Sequence, residues 1–178
     1  MRLFTYAAVL FVVIALVLPT TVRAQYEEDE PSKLNIRLGL FRPLDAQTEL
    51  ISGKDWSCEE LLYNSQRDEA NRPTAQFELG IMESLSTDDS AIMLAANKLW
   101  WQKPTGNSFY YGAGAGVAKF RIFGERKLTA TGQLFLGYNV GDSYFVEARG
   151  LIVPEYELFG AKINLTGVML SIGTRKLF

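Results

Sequence analysis

The sequence contains no histidine and a single cysteine, Cys58. The first absence removes Ser-His-Asp and Cys-His nucleophilic chemistry, histidine metal sites and histidine pH sensing together. A lone cysteine closes no internal disulfide. Cys58 also lies too far along the chain to be a lipoprotein anchor, and no neighbouring histidine or lysine would activate its thiol. Basic runs are missing, and the aromatic residues do not sit among Lys and Arg, so nothing points to nucleic acid. Long hydrophobic runs are confined to the first residues. Beyond them no stretch reaches the roughly 20 apolar residues that a transmembrane helix needs. An exported chain of this kind can enter a membrane only as a closed barrel, in which every backbone group pairs with a neighbouring strand.

The first residues have the layout of a secretory signal. Arg2 is the only early charge, an apolar run follows from Leu3 to Leu18, Pro19 breaks it, and Val22-Arg23-Ala24 offers small residues for a peptidase. We place the cut after Ala24, giving a signal peptide over 1–24; an uncleaved anchor is the alternative, disfavoured by the shortness of the run. Residues 25–32 form an acidic, solvated leader. Its Glu27, Glu28, Asp29 and Glu30 lack the spacing of a calcium loop. Residues 33–178 are of single-domain length. Removing Arg2 and Arg23 takes the basic residues from 18 to 16 against 20 acidic ones, so the mature chain is mildly acidic.

What the chain does have is alternation. Leu128 to Arg149 reads as two strands joined by a Gly141-Asp142 turn, a strong hairpin signal. Leu134, Leu136, Tyr138 and Val140 share one face, and Thr131, Gln133, Phe135 and Asn139 the other. Tyr144, Val146 and Ala148 alternate with Phe145, Glu147 and Arg149. The same period runs through Leu34 to Phe41, Thr74 to Glu83, Ser90 to Gln102, Phe109 to Ile122 and Ile163 to Phe178. Asp55 to Tyr63 alternates poorly and reads as a strand or a short helix. Arg42 to Lys54 and Pro154 to Ala161 read as short loops, and Asn64 to Pro73 as a polar turn. With the doubtful segment included there are eight strands. The expected architecture is all-β: an eight-stranded antiparallel up-and-down transmembrane barrel, apolar outside and polar within.

Aromatic residues sort toward both ends of these strands. Tyr63, Phe77, Trp100, Trp101, Phe109, Tyr110, Tyr111, Tyr138, Tyr144, Phe145 and Phe178 fall near the rim that carries the termini; Phe41, Trp56, Phe120, Phe123, Tyr156 and Phe159 fall near the other. Two aromatic bands are expected at the headgroup levels, with Trp100, Trp101, Tyr111, Tyr138 and Tyr144 as the girdle. Parity sends Arg37, Glu78, Glu147, Arg149 and Arg175 inward. Charges in a narrow bore must pair or stay hydrated, so they are expected to form a lumenal ion-pair network that braces and fills the barrel, with a gated ion path as the rival reading. Gly112, Gly114 and Gly116 lack the spacing of a phosphate loop, and no helix follows them. They give room for neighbours such as Tyr110 and Phe120 to fold over the strand. The carboxylate pairs Glu59/Glu60, Asp88/Asp89 and Glu155/Glu157 read as solvated charges, since a glycosidase pair needs a cleft between them. Asn164-Leu-Thr166 matches a glycosylation acceptor but lies within a strand. No catalytic, cofactor or metal residue is expected.

NIRLGLFRP, YYGAGAGV, QLFLGYNV, YFVEARG and the terminal GVMLSIGTRKLF, together with the signal peptide, give the chain a family likeness. From about Lys33 onward it resembles the small eight-stranded outer-membrane β-barrels of Gram-negative bacteria, the broad OmpA/OmpX/OmpW-like class. The resemblance implies an integral outer-membrane protein with a structural, envelope or surface-interaction role and no catalysis. Its partners would be outer-membrane lipid and the barrel-assembly machinery, and it would be a monomer. That machinery reads a terminal aromatic residue preceded by alternating apolar ones. Phe178, Ile172, Leu170 and Val168 match this pattern, while Lys176 and Thr174 depart from it. The competing functions are an outer-membrane lipid-modifying enzyme and a soluble lipocalin-like carrier. A lipocalin would require the opposite parity, apolar inside and polar outside.

Overall fold

The computed structural model describes residues 34–69, 72–102, 107–141 and 143–174. The signal peptide, the acidic leader, Arg175 and Phe178 lie outside the described residues. Eight strands close on themselves: β1 (Leu34–Pro43), β2 (Trp56–Arg67), β3 (Pro73–Ser84), β4 (Ser90–Trp101), β5 (Phe109–Ile122), β6 (Glu125–Val140), β7 (Tyr144–Ile152) and β10 (Gly167–Thr174). Each pairs antiparallel with its sequence neighbour in the wall, and β1 pairs with β10 to seal the barrel. Closure leaves no edge, so every strand finds partners on both sides. The segment with poor alternation is a strand: β2 runs from Trp56 well past Tyr63.

The wall is apolar on its outer face. Leu40, Leu61, Leu79, Ile92, Leu94, Leu134, Leu136, Val146, Leu170 and Ile172 are all exposed, while Asn35, Arg37, Glu60, Glu78, Asn97, Gln133, Glu147 and Arg149 are buried. This is the polarity of a barrel dissolved in lipid, and it contradicts the inverse parity of a lipocalin-like carrier. An open furrow of about 710 Å³ runs along the outer wall, where Gly39, Ala148 and Ser171 lie between Leu38, Leu136 and Ile172.

The two ends of the bore differ. At the rim where β1 starts and β10 ends, the strands succeed one another over short connections: β2 ends at Arg67 and β3 begins at Pro73, β4 ends at Trp101 and β5 begins at Phe109, and β6 ends at Val140 and β7 begins at Tyr144. At the other rim, two connections expected to be simple loops carry folded elements. Residues 44–55 contain the helix α1 (Ala46–Ser52), and residues 153–166 contain a small hairpin of β8 (Tyr156–Leu158) and β9 (Ala161–Ile163). Asp45 caps α1 by accepting from the Thr48 N–H and hydroxyl, each at 2.7 Å. Gly53, at φ 89°, ends it, and its N–H donates back to the Glu49 carbonyl at 3.1 Å. The Thr48 hydroxyl in turn accepts from the Asn164 N–H at 2.9 Å, which ties α1 to the hairpin connection. Ile51, Tyr156 and Leu158 pack onto a buried cluster that includes Phe41, Trp56, Met82, Met93, Phe120, Leu151 and Met169. Helix and hairpin thus cap an apolar upper bore.

The expected pair of aromatic bands is half present. Tyr63, Phe77, Trp100, Phe109, Tyr111 and Tyr144 are exposed at the rim where β1 starts, with Tyr138 half-buried among them. Trp100 stacks on Tyr111, and Phe109 packs against Tyr138 with the rings tilted, each pair directly across two strands. Phe41, Trp56 and Phe120 at the capped rim point inward instead and form the upper core. Of the rings expected at that rim, Phe123 and Phe159 are exposed, each in a turn rather than on the wall, and the outward wall there carries many charges: Arg42, Glu59, Glu83, Lys119, Arg121 and Arg126. Position along a strand gives a ring its height, but only parity gives its side.

The hydrogen bonds from Thr48 hold the Asp45 carboxyl below the ordinary aspartate range, the side-chain bond being the stronger cause. The stabilisation of α1 is complete above that ordinary range and is lost as pH falls through the depressed value. The Thr48 amide resonance is therefore expected to move only in that acid window. Asp45→Ala should abolish the transition and cost α1 about 1 kcal/mol, leaving barrel unfolding unchanged.

Candidate functional site: a charged layer across the bore

Halfway along the barrel, five ionisable side chains from four strands meet. Arg37 of β1 donates from Nε to Glu60 of β2, from Nη2 to Glu78 of β3 at 2.8 Å, and from Nη1 to Glu147 of β7 at 2.7 Å. Arg149 of β7 donates from Nη1 to both Glu78 carboxylate oxygens at 2.7 Å and from Nη2 to Glu147 Oε1 at 2.8 Å. Both guanidinium groups are fully buried, so neither can be satisfied by bulk water. Each is planar with a fixed fork of donors, which lets one group bridge carboxylates on separate strands.

Polar neighbours complete the layer. Tyr110 donates its hydroxyl to Glu147 Oε2 at 2.9 Å, Asn97 donates to Glu78 Oε2 at 3.1 Å, and Gln133 both accepts from Arg149 and donates to Asn97. The Arg149 guanidinium also lies 5.1 Å from the centroid of the Phe135 ring. Two guanidiniums thus face three carboxylates, and hydroxyl and amide donors offset the excess of negative charge. Glu60 Oε1 has no hydrogen-bond partner and sits 3.8 Å from Arg149 Nη1.

Glycines opposite large groups make the crowding possible. A Cβ on Gly137 would fall 2.0 Å from the Tyr110 ring, one on Gly112 2.2 Å from Phe135, and one on Gly173 2.2 Å from Phe145. Each of these rings is the direct cross-strand partner of its glycine. The expected neighbours Tyr110 and Phe120 do not cover the Gly112–Gly116 stretch. Phe135 lies over Gly112 and Asn97 over Gly114, because the facing residue lies on the adjacent strand rather than two positions along the same one.

Of the expected inward charges, Arg37, Glu78, Glu147 and Arg149 meet in this layer; Arg175 lies outside the described residues. The alternation also places Val168, Leu170 and Ile172 on the outer face of β10, and Trp100, Tyr111 and Tyr144 outward in the girdle with Tyr138. Trp101 departs from the expected girdle. Consecutive strand residues point to opposite faces, so Trp101 turns inward where Trp100 turns out. Its Nε1 donates to the Pro73 carbonyl at 2.7 Å and its ring lies 4.9 Å from that of Tyr110. Glu60, expected as a solvated charge beside Glu59, is buried at the centre. What marks it is the strand pairing that sets it directly opposite Arg37. Asp89 is likewise buried, accepting from the Phe123 N–H at 2.9 Å. Cys58 is buried in the upper core.

No family model matches the sequence, and no curated protein matches it. Solved structures share its fold. The N-terminal β-barrel domain of Pseudomonas aeruginosa OprF superposes with a TM-score of 0.53 at 15% identity, covering 81% of this chain and 98% of that one. Neisserial surface protein A (NspA) superposes with a TM-score of 0.52 at 13% identity, covering 83% of this chain and 99% of that one. Likeness at this identity is a likeness of architecture: the small closed β-barrel.

Removing one partner of a buried ion pair costs roughly 3–5 kcal/mol, because the remaining charge stays buried without compensation. Arg37→Ala strands carboxylates on three strands, so it should lower the unfolding midpoint of the vesicle-embedded barrel more than Glu60→Gln. Arg149→Ala should fall near Arg37→Ala. Urea titration followed by gel migration of unheated samples measures the order, and an unchanged midpoint for Arg149→Ala would contradict the bracing role.

Proposed function

We propose that the chain is an integral outer-membrane barrel with a non-conducting bore, serving the envelope as a structural or surface-interaction element rather than as an enzyme. The observation that carries this reading is the pairing of an outer wall that is apolar along its middle with a charged layer that spans the interior. An eight-stranded bore is just wide enough for side chains to fill it. Here Leu62, Leu99, Tyr110, Phe135 and Phe145 pack on one side of the charged layer and the capped apolar core fills the other. An ion would have to part salt bridges and then cross an apolar plug.

The same packing speaks against catalysis. Glu78 and Glu147 are each held by both guanidiniums and are buried, so neither is free to act on a substrate. Longer connections in such barrels face outward and plain turns face the periplasm. The capped rim, with α1 and the β8–β9 hairpin, is therefore the surface-exposed one. The outward row of Val168, Leu170 and Ile172 on β10 is what the assembly machinery would meet, and the barrel acts as a monomer in outer-membrane lipid.

Two measurements test this. Planar bilayers containing the folded protein should show no discrete conductance steps; a reproducible open level would overturn the sealed bore. Leu134→Arg, on the outer wall, should oppose insertion into vesicles by about 2–4 kcal/mol if the residue lies near the bilayer midplane. A variant that folds as well in buffer without lipid would overturn the membrane assignment.

A further inference from the structure

The outward face of the β5–β6 hairpin at the capped rim gathers three cations. Register places Arg121 directly opposite Arg126, and Lys119 one step lower opposite Leu128. All three have outward parity, continuing the exposed row of Phe109, Tyr111 and Val117 on β5. Like charges directly opposite on one face of a sheet repel. Nothing among the described residues relieves them: none of the three takes part in an ion pair, and Arg121 donates only to the Asp88 backbone carbonyl at 2.8 Å. The next outward residue in that row is Ser90, opposite Arg121 on β4, and only beyond it comes Glu83 on β3. Lys127, the other nearby cation, pairs across to the inward-facing Phe120 and so stands on the other side of the hairpin.

The row beneath the two arginines is apolar on both sides of Lys119. Leu128 is 66% exposed and Ile92 52% exposed, with Val117 continuing the apolar surface toward the middle of the wall. Two arginines above a row in which Lys119 stands between Ile92 and Leu128, with Val117 below, put charge toward the rim and apolar surface toward the middle of the lipid-facing wall, the order of groups in a single amphiphile. We propose that Lys119, Arg121 and Arg126 bind the phosphate headgroup of a membrane lipid, with Leu128 and Ile92 in contact with its acyl chain. The phosphate oxygens accept from both guanidiniums and from the ammonium, replacing the repulsion with charge-assisted hydrogen bonds. A free phosphate ion would meet the cations but gain nothing from the row below. This inference rests on the reading that the barrel spans a bilayer.

The test uses full-length protein folded into phosphatidylcholine vesicles containing a minor fraction of phosphatidic acid, followed by native mass spectrometry of the lipids that remain bound after mild extraction. Phosphatidic acid should be retained roughly tenfold above its share of the bilayer, the scale set by cations near a membrane surface. Arg121→Gln/Arg126→Gln should reduce retention to that share, and Lys127→Gln should leave it unchanged. Unheated gel migration reports whether each variant is folded, and Lys119→Gln provides a milder single change. Excess inorganic phosphate should not displace the lipid. Retention at the bulk ratio in the wild type, retention that survives the double change, or displacement by inorganic phosphate would overturn the proposal. Protein that inserts without enrichment defeats this inference alone, whereas protein that washes off the vesicles defeats the membrane reading along with it.

Discussion

Arg37 is buried with carboxylates from three other strands around it, and the barrel cannot change its cross-section there without separating opposite charges. Outside is hydrocarbon-compatible wall, so no solvent can take over if a contact opens. That constraint sets the local sequence rules. Inward positions beside the layer are glycines where a ring or an amide must lie flat, and amides or hydroxyls where a donor is needed. Arg149 shares two of the same carboxylates and links β7 to β3 across the bore, so the layer acts as a crosspiece rather than as a set of neighbouring pairs.

The capped and uncapped halves solve different problems. Below the layer, rings and amides fill the bore, and the outer rim carries stacked aromatic residues suited to an interface. Above it, large apolar side chains turn inward under α1 and the hairpin, and the outer rim mixes charged residues with exposed apolar ones such as Phe123 and Leu128. The charged rim is itself divided: Glu59 and Glu83 project from β2 and β3, and Lys119, Arg121 and Arg126 from β5 and β6. A barrel with such an exterior presents different chemistry to the lipid around its circumference.

Strand parity was legible because most strands keep aliphatic and polar residues on separate faces, as in Leu79 and Ile81 against Glu78 and Gly80. It placed Arg37, Glu78, Glu147 and Arg149 inside without reference to any partner. Glu60 escaped because β2 mixes types on both faces: Trp56, Cys58 and Leu62 point in with it, while Glu59 points out beside Leu61. Only its position opposite Arg37 identifies it, and that is a fact of pairing between strands. The cap escaped for a different reason. A helix as short as α1 shows no periodicity, although Asp45 and Gly53 are recognisable start and stop residues. The cations at 119, 121 and 126 do not form a run in sequence. A tight turn at Phe123-Gly124 brings them together.

The bond between the Thr48 hydroxyl and the Asn164 N–H joins residues 116 positions apart. Such a contact carries a large loop-closure entropy until the first and last strands have already met. The lid over the upper bore is therefore a late arrival in assembly. Until β1 and β10 zip together, Trp56, Phe120 and Met169 lack their roof, and the nascent barrel has a greasy mouth at that end.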